Sequence, residues 1–157
     1  MEREQLNAYA VRVAQANRSE LVVIIYEAFL DSVKDGREFL KEGDVPACRR
    51  EIDRAKGFLT ELMGSLDFRY EISHYLRRLY VFAYQELCQG VAEREEARLS
   101  HATDIIQKLL PAFQEVASQD ESSAVMVNTE TIYAGLTYGK GSLNESVDVD
   151  MNRGFQA

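Results

Sequence analysis

The sequence predicts an all-α protein, an antiparallel four-helix bundle with a short N-terminal helical segment and a flexible C-terminal tail. Three observations lead to this fold. The chain has only two prolines and nine glycines in 157 residues, so it contains few residues that interrupt helices. Apolar residues recur at alternating spacings of four and three in several segments. Residues 119–157 are instead rich in Ser, Asn, Asp, Glu and Gly with scattered apolar residues, which is typical of a flexible tail.

The first elements are defined by their capping residues. Residues 1–16 have weak helical character and are expected to form a separate N-terminal segment. Asn17 and Glu20 have the spacing of a capping box, in which each side chain accepts a backbone N–H of the first turn. A long helix A is therefore predicted from about Arg18 to Lys41, and Gly43 is its expected C-cap. The bundle domain is predicted to span residues 17–118.

Three further helices complete the predicted bundle. Helix B begins at Asp44, where an Asp cap precedes Pro46, and runs to about Leu66. Helix C is expected to end at Gly90, and helix D covers about Glu93 to Ser118. Pro111 lies inside helix D and should kink or locally unwind it. The inward stripe of helix B is predicted to consist of Cys48, Ile52, Ala55, Leu59, Leu62 and Leu66. That of helix C is predicted to consist of Ile72, Leu76, Leu79, Ala83 and Leu87.

Helix A has more apolar surface than a helix with one buried face requires. Six apolar residues run unbroken from Leu21 to Tyr26, and the apolar arc covers roughly 200°, whereas a surface helix needs an arc of about 100°. One explanation is that helix A is the most buried helix, lying under the N-terminal segment. The other is that part of the arc faces a groove for a helix of another chain.

Charge and composition exclude several classes of protein. The net charge is −8, and no basic cluster exceeds two residues, so nucleic-acid binding is not expected. No apolar run approaches the roughly 18 residues of a membrane span, so we expect no membrane insertion. The N-terminus lacks the pattern of a signal peptide, and we expect a cytoplasmic location. Cys48 and Cys88 are predicted to be reduced and packed between helices.

Neither catalysis nor metal binding is predicted. Glu71 and His74 have the Glu-x-x-His spacing of di-iron bundles, which need a second such pair. Arg98 stands where the second Glu would precede His101. No nucleophile, base and oxyanion donor occur together, so we predict no enzyme, no metal site and no cofactor.

A histidine phosphotransfer bundle is the alternative function. In such a bundle an exposed His on a helix accepts a phosphoryl group, and His74 could play this part. A small residue usually stands four positions after that His, but here the position holds Arg78, which would obstruct a response partner.

Several motifs resemble the flagellin-specific export chaperones of the FliS family. The stretch NRSELVVIIYE, which begins at Asn17, resembles the family's entry helix ASPEELVLMLYDG. The stretch LTELMGSLDF, residues 59–68, resembles ITELMSSLDF, and LRRLY, residues 76–80, resembles NLxxLY. KEGD, residues 41–44, fits the family's EAGD turn, and Tyr9 corresponds to its N-terminal Tyr. The matches occur in the family's order over about residues 6–118.

The resemblance implies a bundle that holds the disordered C-terminal segment of flagellin in the cytosol. It implies that the chaperone–client complex is presented to the flagellar export gate, and that the N-terminal segment can cover part of the client site. The residues expected to contact the client are Tyr9 and Val13 in the lid, Ile25, Tyr26 and Phe29 on helix A, Leu62 and Leu66 on helix B, and Leu76 and Tyr80 on helix C.

Overall fold

The computed structural model describes residues 1–125 as one helical bundle. Within these residues all regular structure is helical, as the sequence predicts. Five helices follow one another: α1 Arg3–Gln15, α2 Arg18–Glu42, α3 Val45–Gly64, α4 Glu71–Glu93 and α5 Glu96–Gln119. The predicted tail beyond residue 125 lies outside the described residues.

The caps of α2 and α3 are those that the sequence predicts. The Asn17 side chain accepts the backbone N–H of Glu20 at 2.9 Å, and the Glu20 carboxylate accepts that of Asn17 at 3.0 Å. Gly43 ends α2 in the left-handed conformation with φ 82°. Asp44 then begins α3 by accepting the Ala47 N–H at 3.0 Å. Local hydrogen bonds therefore set these boundaries.

Three boundaries differ from the predicted ones. α3 ends at Gly64 rather than near Leu66. α4 continues past Gly90, because Gly90 packs inside the α4–α5 contact and Arg94 takes the left-handed C-cap, with φ 57°. α5 consequently begins at Glu96, and it remains helical through Pro111. The predicted unwinding at Pro111 is therefore wrong.

The helices pack in a ring. α2 contacts both α3 and α5, and α4 closes the ring by contacting α3 and α5, while α1 packs mainly on α2. Short connections make successive helices antiparallel. The centre is filled by large apolar side chains from all five helices, among them Val13, Tyr26, Phe29, Ile52, Leu59, Leu62, Tyr80, Leu87, Leu99 and Ile106.

The two cysteines are free but differ in environment. Cys48 is buried in α3, where burial raises the pKa of its thiol. Cys88 is exposed on α4, so the prediction that both pack between helices is wrong for Cys88. Among residues 1–125, no helix has the length and hydropathy that a membrane span requires.

Candidate functional site

An apolar groove of about 500 Å³ opens beside the N-terminal half of α2. α2 forms one wall, and the last turn of α3 with the loop after it forms the opposite wall. The N-terminal half of α4 and one residue of α5 complete the lining. The lining residues are Arg18, Leu21, Val22, Ile25, Glu61, Leu62, Gly64, Ser65, Leu66, Asp67, Ser73, Leu76, Tyr80 and Phe113.

Five of the nine predicted contact residues lie in this groove. They come from three helices and one loop, namely Ile25, Leu62, Leu66, Leu76 and Tyr80. Ile25 and Leu76 are each 6 % exposed, and Leu66, at the edge, is partly exposed. The groove is therefore lined by side chains that also belong to the core, and an incoming apolar chain would extend that core.

Two predicted residues are buried in the core and do not line the groove. They are Tyr26 and Phe29, and both are fully buried. The Tyr26 hydroxyl is 2.5 Å from the Tyr80 hydroxyl, and the Tyr26 ring meets the Phe113 ring edge-on at 5.2 Å. Tyr26 thereby fixes the positions of two residues that do line the groove.

Sequence reasoning missed three apolar residues of the lining, namely Leu21, Val22 and Phe113. Val22 is partly exposed on α2, and it belongs to the unbroken apolar run whose excess the sequence already showed. Phe113 lies on the apolar stripe of α5, but its place in the groove depends on how α5 packs on α2, which its spacing does not indicate.

Three charged residues surround the groove. Arg18 stands at the start of α2, and Glu61 and Asp67 stand on the opposite wall. Loss of water at the wall raises the pKa of the Glu61 carboxyl, although the residue as a whole is exposed. Hydrogen bonds from Arg69 lower the pKa of Asp67. The groove therefore offers charges of both signs to polar groups beside an apolar ligand.

The predicted lid helix lies on a different side of α2. Tyr9 donates a hydrogen bond to Asp31 at 2.6 Å, and Arg12 pairs with Glu27 at 2.5 Å. At 100° per residue these acidic positions point to roughly the opposite side of α2 from Ile25. Tyr9 and Val13 are buried there. In this structure α1 therefore leaves this groove uncovered, and whether α1 covers another part of a client site stays a prediction.

Two further contacts hold the ends of α1. The amino group of Met1 is 2.7 Å from both Asp35 on α2 and Glu51 on α3. At the other end, the chain after α5 returns to the α1–α2 junction, where the Val125 N–H donates to the Ala16 carbonyl at 3.1 Å. Both ends of α1 are thus tied to other parts of the bundle.

The segment of residues 120–125, here called the C-terminal strap, is bound by the residues that begin α2. The Asn17 amide donates to the backbone carbonyls of Asp120 at 3.0 Å and Ser122 at 3.3 Å. The Ser19 hydroxyl donates to the Asp120 carboxylate at 2.5 Å. Hydrogen bonds from Ser122 and Ser19 lower the pKa of Asp120 to about 2. The first residues of the predicted tail are therefore docked on the bundle.

His74 is engaged locally. Its ring is exposed, its centroid lies 5.1 Å from that of Phe68, and its Nε2 is 3.1 Å from the Phe68 carbonyl oxygen. Arg78 follows one turn later, as the sequence requires. No group of three or more His, Cys, Asp or Glu residues suited to a metal ion occurs within residues 1–125.

An all-helical bundle with an open apolar groove is typical of proteins that bind a segment of another chain. A family model described as "Flagellar protein FliS" matches residues 3–120. The chain therefore belongs to the FliS family, a family of flagellar export chaperones. The match includes α1 and ends where the C-terminal strap begins. A search of curated proteins gives no match.

Proposed function

We propose that this chain is a cytosolic chaperone that binds the disordered C-terminal segment of flagellin. Binding keeps flagellin from polymerising before export, and the complex is delivered to the flagellar export gate. The observation that carries the proposal is the groove beside α2, whose apolar lining comes from α2, α3, α4 and α5. Family membership supports the same function.

The groove supplies what a client that folds on binding requires. Ordering a flexible segment costs conformational entropy, and burial of apolar surface must offset that cost. Ile25, Leu62, Leu66, Leu76 and Tyr80 present apolar side chains from three sides of one cavity. In this proposal they contact the client directly, whereas Tyr26 and Phe29 act from beneath by holding the α2 wall in place.

The proposed role of α1 is displacement by a client that wraps around the bundle. α1 buries Tyr9 and Val13 on the side of α2 away from the groove. An extended client that begins in the groove and continues around α2 would compete with α1 for that surface. Because α1 packs mainly on α2 and is not part of the ring, it is the helix that can be released with the least disruption of the ring.

Substitution at the mouth of the groove tests the proposal. Leu66 is partly exposed, so Leu66→Arg can direct its charge to solvent in the free protein. The substituted side chain nevertheless places that charge where the client's apolar side chains enter. We expect affinity for a labelled flagellin C-terminal segment, measured by fluorescence anisotropy, to fall at least about tenfold.

Val116→Arg is the matched control. Val116 is 53 % exposed on α5 and does not line the groove, so this variant introduces the same side chain elsewhere. It should bind as the unmodified protein does. Equal affinity of the two variants would contradict the assignment of the groove, provided that both melt near the temperature of the unmodified protein.

A further inference from the structure

The C-terminal strap ends close to the groove. Its last residue, Val125, donates its N–H to the Ala16 carbonyl at 3.1 Å and packs partly buried against the core. Arg18, the first residue of α2 and part of the groove lining, follows Ala16 by two positions. The point at which residues 126–157 begin is therefore beside the groove.

The strap is fixed at this point by hydrogen bonds to the start of α2. The Asn17 amide binds the backbone carbonyls of Asp120 and Ser122, and the Ser19 hydroxyl binds the Asp120 carboxylate. A short linker from a fixed point holds a ligand at an effective concentration in the millimolar range. A segment of the tail could therefore fill much of the groove even with weak affinity of its own.

One stretch of the tail has the composition that an apolar groove requires. Residues 131–138 read TIYAGLTY and carry no charge. Their large apolar and aromatic side chains are Ile132, Tyr133, Leu136 and Tyr138. In residues 139–157, by contrast, apolar residues stand singly between polar ones.

The stretch can reach the groove from the end of the strap. Seven steps along the chain lead from Val125 to Ile132, and an extended chain covers about 3.3 Å per residue, or roughly 20 Å. The part of α2 that lines the groove, from Arg18 to Ile25, is only about 10 Å long.

The charges at the groove entrance also fit this chain path. Arg18 is exposed, and it takes part in none of the ion pairs within residues 1–125. Asp67 on the opposite wall pairs with Arg69 instead. Glu130 is the last charged residue before the apolar stretch, so it can pair with Arg18 where the stretch enters the groove.

A second cavity near the strap, between α1 and α5, fits the stretch less well. Most of its lining is polar, and the polar residues are Arg12, Gln15, Glu20, Gln114 and Ser118. Its apolar lining is limited to Val23, Ile24 and Ala117. An uncharged aromatic stretch buries less apolar surface there than in the groove.

We propose that residues 131–138 occupy the groove in the free protein, with Glu130 paired to Arg18. The chain thereby covers its own apolar groove, and a client must displace the tail in order to bind. The docking itself requires no client, whereas the competition rests on the proposed function. Because the family model ends at residue 120, the tail that docks lies outside the part of the chain that the family defines.

Methyl NMR spectra of the full, free chain test the docking. Ile132→Asp with Leu136→Asp places two charges in the stretch, so the stretch should leave the groove. The methyl resonances of Ile25 and Leu66, which line the groove, should shift as its aromatic rings move away. Those of Ile24, which lines the second cavity, should stay unchanged.

Val147→Asp with Val149→Asp is the matched control. It introduces the same two charges farther along the tail, outside the proposed ligand. The methyl resonances of Ile25 and Leu66 should keep the positions that they have in the unmodified protein.

Charge reversal tests the proposed ion pair. Arg18→Glu and Glu130→Arg should each lower the docking equilibrium, read from the groove methyl shifts, at least about threefold. Glu is also favourable in the first turn of a helix, so Arg18→Glu should not unfold α2. The double variant should restore docking to within about twofold. Glu145→Arg reverses a charge farther along the tail and should have no effect.

The client provides the second readout. Ile132→Asp with Leu136→Asp should raise affinity for a labelled flagellin C-terminal segment at least about threefold, because the groove is no longer occupied. The control pair at Val147 and Val149 should leave this affinity unchanged. If the groove methyl resonances respond but no flagellin segment binds, the docking stands and the proposed function fails.

Four results would overturn the proposal. The first is that the methyl resonances of Ile25 and Leu66 do not respond, or that those of Ile24 respond instead. The second is an equal response to the control pair, and the third is a double charge variant that fails to restore docking. The fourth is a set of groove shifts that changes with protein concentration, since the occupant would then be the tail of a second copy. Unchanged client affinity after the tail has left would contradict the competition.

Discussion

The hydroxyl groups of Tyr26 and Tyr80 lie 2.5 Å apart in the core, where they join α2 to α4 directly beneath the groove. Both side chains are almost completely buried, at 0 % and 1 % exposure, and their rings meet edge-on at 6.3 Å. A buried hydroxyl needs a hydrogen-bond partner, and each of these supplies one for the other. The pair therefore fixes the spacing of two walls of the groove.

Removing one hydroxyl of this pair should destabilise the protein more than removing both. Tyr80→Phe leaves the Tyr26 hydroxyl buried without its partner, which costs about 1–3 kcal/mol. The double variant Tyr26→Phe with Tyr80→Phe removes both polar groups and should cost about 1 kcal/mol or less. Urea unfolding of the single and double variants measures the difference. Additive losses would contradict the pairing.

The second prediction concerns the hydrogen bond that holds α1 on α2. Tyr9→Phe keeps the ring but removes the hydrogen bond to the Asp31 carboxylate, and a hydrogen bond to a charged group contributes about 1.5–3 kcal/mol. Hydrogen exchange of the α1 amides should therefore accelerate roughly tenfold or more, while exchange in α3 stays unchanged. Tyr70→Phe, at a position 60 % exposed, is the control and should alter neither.

The same variant tests whether α1 competes with the client. If α1 must leave α2 for the client to wrap around the bundle, Tyr9→Phe should also raise affinity for the flagellin segment severalfold, because less of the binding energy is spent on displacing α1. Unchanged affinity together with faster α1 exchange would mean that the client leaves α1 in place.

Acid should release the C-terminal strap at an unusually low pH. The folded pKa of Asp120 is lowered to about 2 by hydrogen bonds from Ser122 and Ser19. The charged carboxylate therefore stabilises the docked strap above its ordinary pKa of about 4, and this stabilisation is lost as the pH falls towards 2. The protection of the Val125 amide should follow the same course in NMR exchange measurements.

Asp120→Asn is the control for this titration. It keeps one oxygen that can accept a hydrogen bond but cannot ionise in this range, so the acid-dependent loss of Val125 protection should disappear. A midpoint near pH 4 for the unmodified protein would show that the Ser19 and Ser122 contacts do not favour the charged form.

Two glycines in helices should respond in opposite directions to alanine. A Cβ at Gly90 would lie 2.6 Å from Leu99 Cδ2, and Leu99 is fully buried, so Gly90→Ala should destabilise the protein by about 1–3 kcal/mol. A Cβ at Gly57 meets nothing within 4 Å. Gly57→Ala should therefore stabilise the protein by about 0.5–1 kcal/mol. Thermal unfolding of both variants tests the close α4–α5 packing.

Features set by local chemistry could be read from the sequence. The capping box of Asn17, the left-handed Gly43 and the Asp44 cap depend on residues within a few positions of each other, and all three were predicted. Gly90 misled the prediction because a glycine can end a helix or permit close packing between helices, and only the position of Leu99 decides between the two.

Features set by packing between distant segments could not be read in this way. Glu27, Asp31 and Asp35 are acidic residues of α2, and the N-terminal residues cover them with Arg12, Tyr9 and the Met1 amino group. This covering uses ion pairs and hydrogen bonds, which leave no apolar periodicity in the sequence.

The structure bears on both explanations for the excess apolar surface of helix A, and whether the groove takes a helix of another chain stays a prediction. α1 lies over one side of α2, as the first explanation requires, and the groove borders another side, as the second requires. The placement of α4 and α5 decides which predicted contact residues line the groove and which lie beneath it. Ile25 lines the groove, and Tyr26 lies beneath it. Their sequence spacing on α2 does not distinguish them.

Calorimetric titration of the full chain with a flagellin C-terminal segment tests the central claim most directly. A segment of about 40–50 residues that folds into the groove should bind in a 1:1 complex with a large negative heat-capacity change, because it becomes ordered while burying apolar surface. Absence of binding, or binding with a heat-capacity change near zero between about 10 and 35 °C, would contradict a groove that completes its core with a client chain.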